Sequence, residues 1–279
     1  MALLLKVDPV KSRSMVCRLG TTMSGTPLVL TVDVEGDVAS DRFDCVDTLA
    51  SVLDTLCLPA TLFVTPAVVR RRTAVVREWV DGGHAVGLHV HPGRLGGDSD
   101  WLGTYDQDAV ESFLKQGESA FEDHLGFTPR LFRAGRWSYS SAVHAALGAR
   151  GFTADASYRP GGRCDPYADE GVTEFPMTVL GNAALRRLLR SRGVDGFPLH
   201  ADAFLRTLPR AGALYGATRL AVASDRPYVM VSLHDYDLAD ETVRRRTIRY
   251  LAGLSEWCYP ETLRSRPELT PRSDVTANR

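Results

Sequence analysis

The sequence lacks the cysteine patterns that mark several classes of protein. Its five cysteines are Cys17, Cys45, Cys57, Cys164 and Cys258. They are odd in number and scattered, and no two of them form a C-x-x-C pair. We interpret them as free thiols, which argues against a cysteine zinc site, a redox motif or a disulfide framework.

Net charge and long hydrophobic runs are lacking as well. Lysine plus arginine total 33 against 34 for aspartate plus glutamate, so the net charge of −1 gives no overall field for nucleic acid or an anionic membrane. The apolar stretch before Lys6 is too short for a secretory signal or a membrane span. We therefore expect a cytoplasmic protein that binds neither nucleic acid nor membrane.

The length and composition predict one large domain. With 279 residues, 44% of them hydrophobic, the chain can bury a full core. No hydrophobic period is sustained before Pro27. We expect residues 1–25 to form a peripheral arm, residues 26–260 the folded domain and residues 261–279 a tail.

From Pro27 onward, short β-branched segments alternate with segments of helical period. The first three predicted strands are PLVLTVDV, ATLFVT and AVGLHV. Further strands are predicted near residues 130–133, 152–157, 172–177 and 228–233. Helices are predicted at residues 41–56, 67–83, 108–124 and 140–147. This order predicts parallel strands, in a barrel or an open sheet, and both architectures bind ligands beyond the carboxyl ends of the strands.

Side chains that bind metals and move protons follow the first and third predicted strands. Asp33 and Glu35 emerge directly after an apolar run, and carboxylates this close need a metal or an arginine to remain charged. His89 and His91 lie two residues apart on one face of a strand end, where their imidazoles can chelate one ion. The two strand ends together predict a site for a divalent metal.

Three later strand ends add polar groups of the same kind. Arg133 is followed by Gly135, which permits close backbone approach, and a fixed cation there could orient a carboxylate. Asp155 ends the fifth strand and His234 the last one. Packing alone does not account for five strand ends that carry such residues.

The order of these motifs resembles the polysaccharide deacetylase family, the metal-dependent carbohydrate esterases that include chitin, peptidoglycan and chitooligosaccharide deacetylases. The resemblance covers about residues 27–255. It implies a single-domain α/β fold, a distorted (β/α)₇ barrel, with the active site at the carboxyl ends of the strands. Here the acids of the first motif lie two residues apart instead of adjacent, and H-x-H replaces the usual H-x-x-x-H.

The resemblance also implies roles for individual residues. The implied catalytic residues are Asp33 as base, Arg133 as the arginine that holds it, His234 as the catalytic histidine and Asp155 as the acid that tunes His234. The implied ligands of one divalent metal are Glu35, His89 and His91. The expected substrate-binding residues are Arg136, Trp137, Tyr158, Trp101 and Leu233, with Leu233 in the acyl pocket. Zinc is the expected metal, and cobalt, nickel or iron suit the same donors.

The implied activity is hydrolysis of an N-acyl group, acetyl in the first instance, from an amino sugar or small glycoconjugate, with release of acetate and a free amine. The expected partner is thus a small-molecule or oligosaccharide substrate with an N-acyl group. Two alternatives stay open: hydrolysis of another linear or cyclic amide, and a catalytically silent carbohydrate-binding protein. The first strand is not followed by the glycine-rich phosphate loop of a sugar-nucleotide enzyme.

Overall fold

The computed structural model describes residues 26–37, 40–158, 165–180, 197–199, 201–207, 211–223, 226–257 and 260–263. The predicted arm and most of the predicted tail lie outside these residues, so the division into arm, domain and tail stays a prediction. Within the described residues, no helix is long and apolar enough to cross a membrane.

A curled sheet of eight strands forms the centre of the fold. The described part of the chain has ten strands in all: β1 (Leu28–Val34), β2 (Thr61–Val64), β3 (Ala85–Val90), β4 (Leu131–Ala134), β5 (Ala154–Asp155), β6 (Tyr167–Asp169), β7 (Val172–Glu174), β8 (Val179–Leu180), β9 (Phe197–Pro198) and β10 (Val229–His234). The sheet order is β10-β1-β2-β3-β4-β5-β7-β6, with β8 and β9 in a separate pair. All neighbours in the large sheet are parallel except β6, which pairs antiparallel with β7. The predicted α/β barrel is confirmed in its distorted form, as a half-barrel.

Helices cover the outer face of the sheet. They are α1 (Asp44–Leu56), α2 (Pro66–Arg71), α3 (Thr73–Asp81), α4 (Gln107–Leu125), α5 (Ser141–Ala149), α6 (Ala201–Thr207), α7 (Ala211–Val222) and α8 (Glu241–Trp257). The side chains of Asp106 and Ser140 cap the amino ends of α4 and α5. The single helix predicted at residues 67–83 is two helices, because Arg72 leaves helical geometry at φ −131° and the Thr73 hydroxyl bonds to the Val69 carbonyl.

Residues along each strand alternate between two apolar cores. One core fills the space between sheet and helices, and it includes Leu30, Val32, Leu88, Phe132 and Val231. The other fills the inside of the barrel, and it includes Val29, Phe63, Leu131, Ala154 and Met230. Because side chains of a strand point to opposite faces in turn, this division decides which polar residues enter the barrel.

Residues 260–263 close the amino-terminal end of the barrel. The Glu261 amide donates a hydrogen bond to the Leu28 carbonyl at 2.8 Å, and the Leu263 amide donates one to Thr61 Oγ1 at 3.0 Å. Leu263 is buried in the interior core. The opposite, carboxyl-terminal end is therefore the end at which a ligand can enter.

The contact between β3 and β4 leaves no room for a side chain at Gly87. A Cβ atom there would lie 2.7 Å from the Leu131 carbonyl oxygen and 2.8 Å from its Cβ. We expect Gly87→Ala to destabilise the protein by about 1–3 kcal/mol, as overpacking of a core does. Urea unfolding of both proteins measures this difference.

Gly216→Ala is the matched control, since Gly216 lies within α7 and no described atom lies within 4 Å of a Cβ built on it. Alanine within a helix is expected to raise stability by about 0.5–1 kcal/mol. A Gly87→Ala variant as stable as wild type would contradict the close approach of β3 to β4.

Candidate metal centre and active site

Strand alternation brings six of the predicted site residues to the carboxyl end of the barrel. They are Asp33 in β1 and Glu35 directly after it, His89 in β3 and His91 directly after it, Arg133 in β4 and His234 in β10. Asp33 is in register with His234, and His89 with Arg133. Polar side chains that are far apart in the sequence thus meet in one pocket floor.

Three imidazole nitrogens converge on one carboxylate oxygen. Glu35 Oε1 lies 3.3 Å from His91 Nε2, 3.5 Å from His89 Nε2 and 3.6 Å from His234 Nε2. His89 Nε2 is buried and has no hydrogen-bond partner in the part of the chain that the structure describes. Since a buried polar atom without a partner is costly, this nitrogen fits a bound cation better than an empty space.

The second nitrogen of two imidazoles fixes the tautomer that a metal needs. His89 Nδ1 lies 2.8 Å from the Arg133 carbonyl, which only accepts, so this nitrogen carries the proton. His91 Nδ1 lies 3.0 Å from Asp100 Oδ2. Both Nε2 atoms then present a lone pair, the usual arrangement of metal-bound histidines. The donors fit a divalent ion such as zinc.

Two residues that the sequence did not indicate hold Glu35 in place. Arg94 Nη2 lies 2.6 Å from Glu35 Oε2, and this leaves Oε1 directed at the histidines. The Asp235 carboxylate accepts hydrogen bonds from the amides of Glu35 and Gly36, at 2.8 and 3.0 Å. Arg94 lies three residues after His91, and Asp235 directly follows His234. This proximity to motif residues was the only indication in the sequence that they belong to the site.

Asp33 forms the predicted contact with Arg133. Arg133 Nη1 lies 2.7 Å from Asp33 Oδ1, and the guanidinium is fully buried between the rings of Phe63 and Trp137, 4.3 and 4.5 Å away. Burial alone would raise the pKa of Asp33, but the Arg133 charge brings it below its usual value. Asp33 is therefore ionised at neutral pH.

The predicted pairing of Asp155 with His234 is wrong. Ala154 and Ala156 face the barrel interior, so Asp155 between them faces the helices. Its Oδ2 atom lies 3.3 Å from Nε2 of His144 on α5. His234 instead lies near Asp33, with 3.7 Å between Nε2 and Oδ2, and it stacks on Tyr236 at 4.7 Å.

Leu233 does not line the pocket as predicted. It is 2% exposed and packs in the core between sheet and helices. The reason is again alternation, because Ser232 and His234, the residues on either side, face the interior. The two-residue period of strands β5 and β10 was the sequence signal for the outward positions of Asp155 and Leu233.

The other predicted substrate-binding residues lie around the pocket and beyond it. Trp137 is half-buried over Arg133, and Trp101 is 53% exposed. Arg136 is exposed, with Nε 3.2 Å from Asp100 Oδ2. The Tyr158 ring packs against Tyr139 and Tyr167, 5.2 and 6.1 Å away. Asp100, which holds both His91 and Arg136, had no signal in the sequence.

The backbone is strained where it passes the pocket. Arg136 and Trp137 have φ values of 60° and 56°, in the left-handed region that side chains other than glycine rarely adopt. Such strain persists only where the surrounding structure holds it, and it clusters at functional sites. The stacking of Trp137 on Arg133 is one contact that holds this conformation.

The family resemblance is confirmed. Residues 21–154 match the family model described as polysaccharide deacetylase. The matched residues include Asp33, Glu35, His89, His91 and Arg133. A comparison with curated protein sequences finds no match.

Solved structures show the same fold at low sequence identity. A protein described as a polysaccharide deacetylase from Mycobacterium smegmatis is 16% identical with a TM-score of 0.63, over 92% of this chain and 97% of that one. A peptidoglycan deacetylase from Bacillus subtilis is 12% identical with a TM-score of 0.53, over 88% and 92%. A family 4 carbohydrate esterase pseudoenzyme from Bacillus anthracis is 14% identical with a TM-score of 0.55, over 88% and 67%.

Gly135 gives the His91 ring its space. A Cβ atom at Gly135 would lie 2.5 Å from Nδ1 and Cε1 of His91. We expect Gly135→Ala to displace the ring from Asp100 and to weaken Zn²⁺ binding about 10- to 100-fold, as loss of an outer partner does. Dialysis against graded Zn²⁺ followed by metal analysis measures the change.

Gly216→Ala again serves as the control, and it should bind Zn²⁺ like wild type. Unchanged Zn²⁺ affinity in Gly135→Ala would mean that His91 is not a ligand. A urea midpoint for Gly135→Ala should accompany the titration, so that loss of binding is not mistaken for loss of folding.

Proposed function

We propose that this protein is a metal-dependent N-deacetylase that removes an acyl group, acetyl in the first instance, from the nitrogen of an amino sugar or small glycoconjugate. The observation that carries the proposal is the convergence of three imidazole nitrogens on Glu35 Oε1, directly beside an ionised Asp33. The match to the polysaccharide deacetylase family model supports carbohydrate deacetylation as the reaction class.

Glu35, His89 and His91 would hold the metal. Zinc is the first candidate, and cobalt, nickel or iron suit the same oxygen and nitrogen donors. When bound, the ion would polarise the acyl carbonyl. Arg94 orients Glu35, and Asp100 orients His91, so both ligands are set before an ion arrives.

Asp33 would act as the general base. Its Oδ1 atom is engaged by Arg133, while Oδ2 lies towards His234, 3.7 Å from Nε2. A water molecule near Oδ2 would give a proton to Asp33 while the water oxygen forms a bond with the acyl carbon. Arg133 keeps the carboxylate charged and prevents it from turning away.

His234 would act as the general acid. Its Nε2 atom lies near both Asp33 and Glu35, two carboxylates that favour the protonated imidazole. A proton passes from His234 to the amine nitrogen as the carbon–nitrogen bond breaks, because an unprotonated amine is a poor leaving group. These carboxylates take over the tuning role that the sequence assigned to Asp155.

The rim of the pocket suits a sugar ring. Trp137 presents its ring beside the Asp33–Arg133 pair, and Trp101 is exposed next to Asp100. Aromatic faces of this kind pack against the apolar face of a sugar. We propose that Trp137 and Trp101 position the substrate.

The cytoplasmic location expected from the sequence stays a prediction.

The silent carbohydrate-binding protein is the alternative of a different class. A pseudoenzyme from Bacillus anthracis has a similar fold, so the fold is compatible with this alternative. The Asp33–Arg133 pair argues against it, because a protein that only binds sugar does not need a charged carboxylate held at the pocket floor. Hydrolysis of another amide would use the same residues and is distinguished by substrate alone.

Asp33→Asn tests the base. Asparagine keeps the size of the side chain but cannot take a proton, so amine release from N-acetyl sugars is expected to fall by about 10²- to 10⁴-fold with Zn²⁺ content unchanged. Asp98→Asn, an exposed position, is the matched control and should keep full activity. The double variant His89→Ala, His91→Ala should lose the metal of the Glu35 centre as well as the activity.

Near-full activity of Asp33→Asn would refute the assignment of the base. Absence of amine release from a broad panel of N-acyl sugars and amides by metal-loaded wild type would favour the silent binding protein.

Trp137→Ala tests the substrate platform. We expect KM to rise by about 2- to 13-fold, since loss of one aromatic contact costs about 0.5–1.5 kcal/mol. Trp137→Phe retains a ring over Arg133 and should restore most of the affinity, which separates stacking on substrate from a general loss of packing. A KM like that of wild type in the Ala variant would contradict the platform.

A further inference from the structure

A second group of buried ligand atoms lies outside the barrel, between helix α5 and strands β5 and β7. It consists of His144 from α5, Asp155 from β5 and Glu174 from β7, whose ligand atoms lie within 4.8 Å of one another. We propose that these three side chains form a second divalent-metal site, separate from the Glu35 centre and independent of the proposed catalytic function.

The ligand atoms meet at one point. His144 Nε2 lies 3.1 Å from Glu174 Oε2 and 3.3 Å from Asp155 Oδ2. All three side chains are completely buried. Asp155 and Glu174 are register partners on adjacent parallel strands, so the sheet itself holds the two carboxylates side by side.

The remaining polar atoms of the three residues are held by the protein. Asp169 Oδ2 lies 3.1 Å from His144 Nδ1, the Tyr158 amide donates to Glu174 Oε1 at 2.9 Å, and the Ser157 hydroxyl donates to Asp155 Oδ1. The Glu35 centre has the same design, in which Asp100 holds His91 Nδ1 and Arg94 holds Glu35 Oε2. Outer partners of this kind orient metal ligands.

A single hydrogen on His144 Nε2 cannot point to both carboxylates of the cluster at once. A hydrogen on His144 Nε2 is placed to bond to Glu174 Oε2, and the buried Asp155 Oδ2 has no hydrogen-bond partner among the described residues. One divalent ion would balance both carboxylates and contact all three ligand atoms at once.

The chemistry of the ligands defines the ion. One imidazole nitrogen and two carboxylate oxygens suit Zn²⁺, and Mn²⁺ or Fe²⁺ as further candidates. Because Asp155 faces the helices and not the barrel interior, the ion would not meet a substrate at the Asp33 pocket. It would connect α5 to β5 and β7, and its role would be to stabilise this side of the barrel.

The test counts Zn²⁺ in the full chain after chelator treatment, reloading and dialysis. Wild type is expected to hold two Zn²⁺ per chain, and Glu174→Gln and the double variant His89→Ala, His91→Ala one each. Glutamine keeps the acceptor for the Tyr158 amide, so Glu174→Gln should fold. Glu170→Gln, an exposed neighbour, is the matched control and should retain both ions.

A stability measurement identifies the site. In the His89→Ala, His91→Ala variant, which keeps only the proposed site, Zn²⁺ should raise the urea midpoint, and adding Glu174→Gln should abolish that increase. The proposal is overturned if wild type holds one Zn²⁺ that Glu174→Gln retains and His89→Ala, His91→Ala loses. The cluster would then be a protonated His144 between acids, and the Glu35 centre would be unaffected by that result.

Discussion

The structure of this protein depends on the two-residue alternation of side chains along parallel strands. In β1 the odd-numbered residues enter the barrel, so Val29 packs inside while Asp33 and Glu35 reach the open end. The even-numbered residues pack against the helices. The same rule applied to β5 sends Asp155 outward to His144. One geometric constraint therefore creates both buried clusters of charge and keeps them apart.

Charge compensation determines how these clusters are built. Burying a carboxylate without a partner costs several kcal/mol, and removing one member of a buried pair costs about 3–5 kcal/mol. Arg133 compensates Asp33, and Arg94 compensates Glu35. Each carboxylate uses one oxygen for its arginine and directs the other at His234. The ion pairs that stabilise the pocket are thus formed by the same residues that the proposed mechanism uses.

Most of the architecture could be predicted from the sequence, because β-branched runs and helical periods are local signals. The parallel strand order and the carboxyl-end site followed from them, and the motifs of β1 and β3 indicated the family. The break at Arg72 was missed, since the hydrophobic period continues across it. The β6 strand and the β8–β9 pair were missed because strands of two or three residues have no period to detect.

The sequence by itself determined which residue types stand at the strand ends, and hence the acids, histidines and arginine available for chemistry. Only the tertiary structure decided which of them meet. It joined His144 to Glu174 across thirty residues and placed Asp100 on His91 from a loop, contacts that no spacing encodes. The physical reason is that strand spacing and helix packing set distances between segments, whereas sequence patterns report only the conformation within each one.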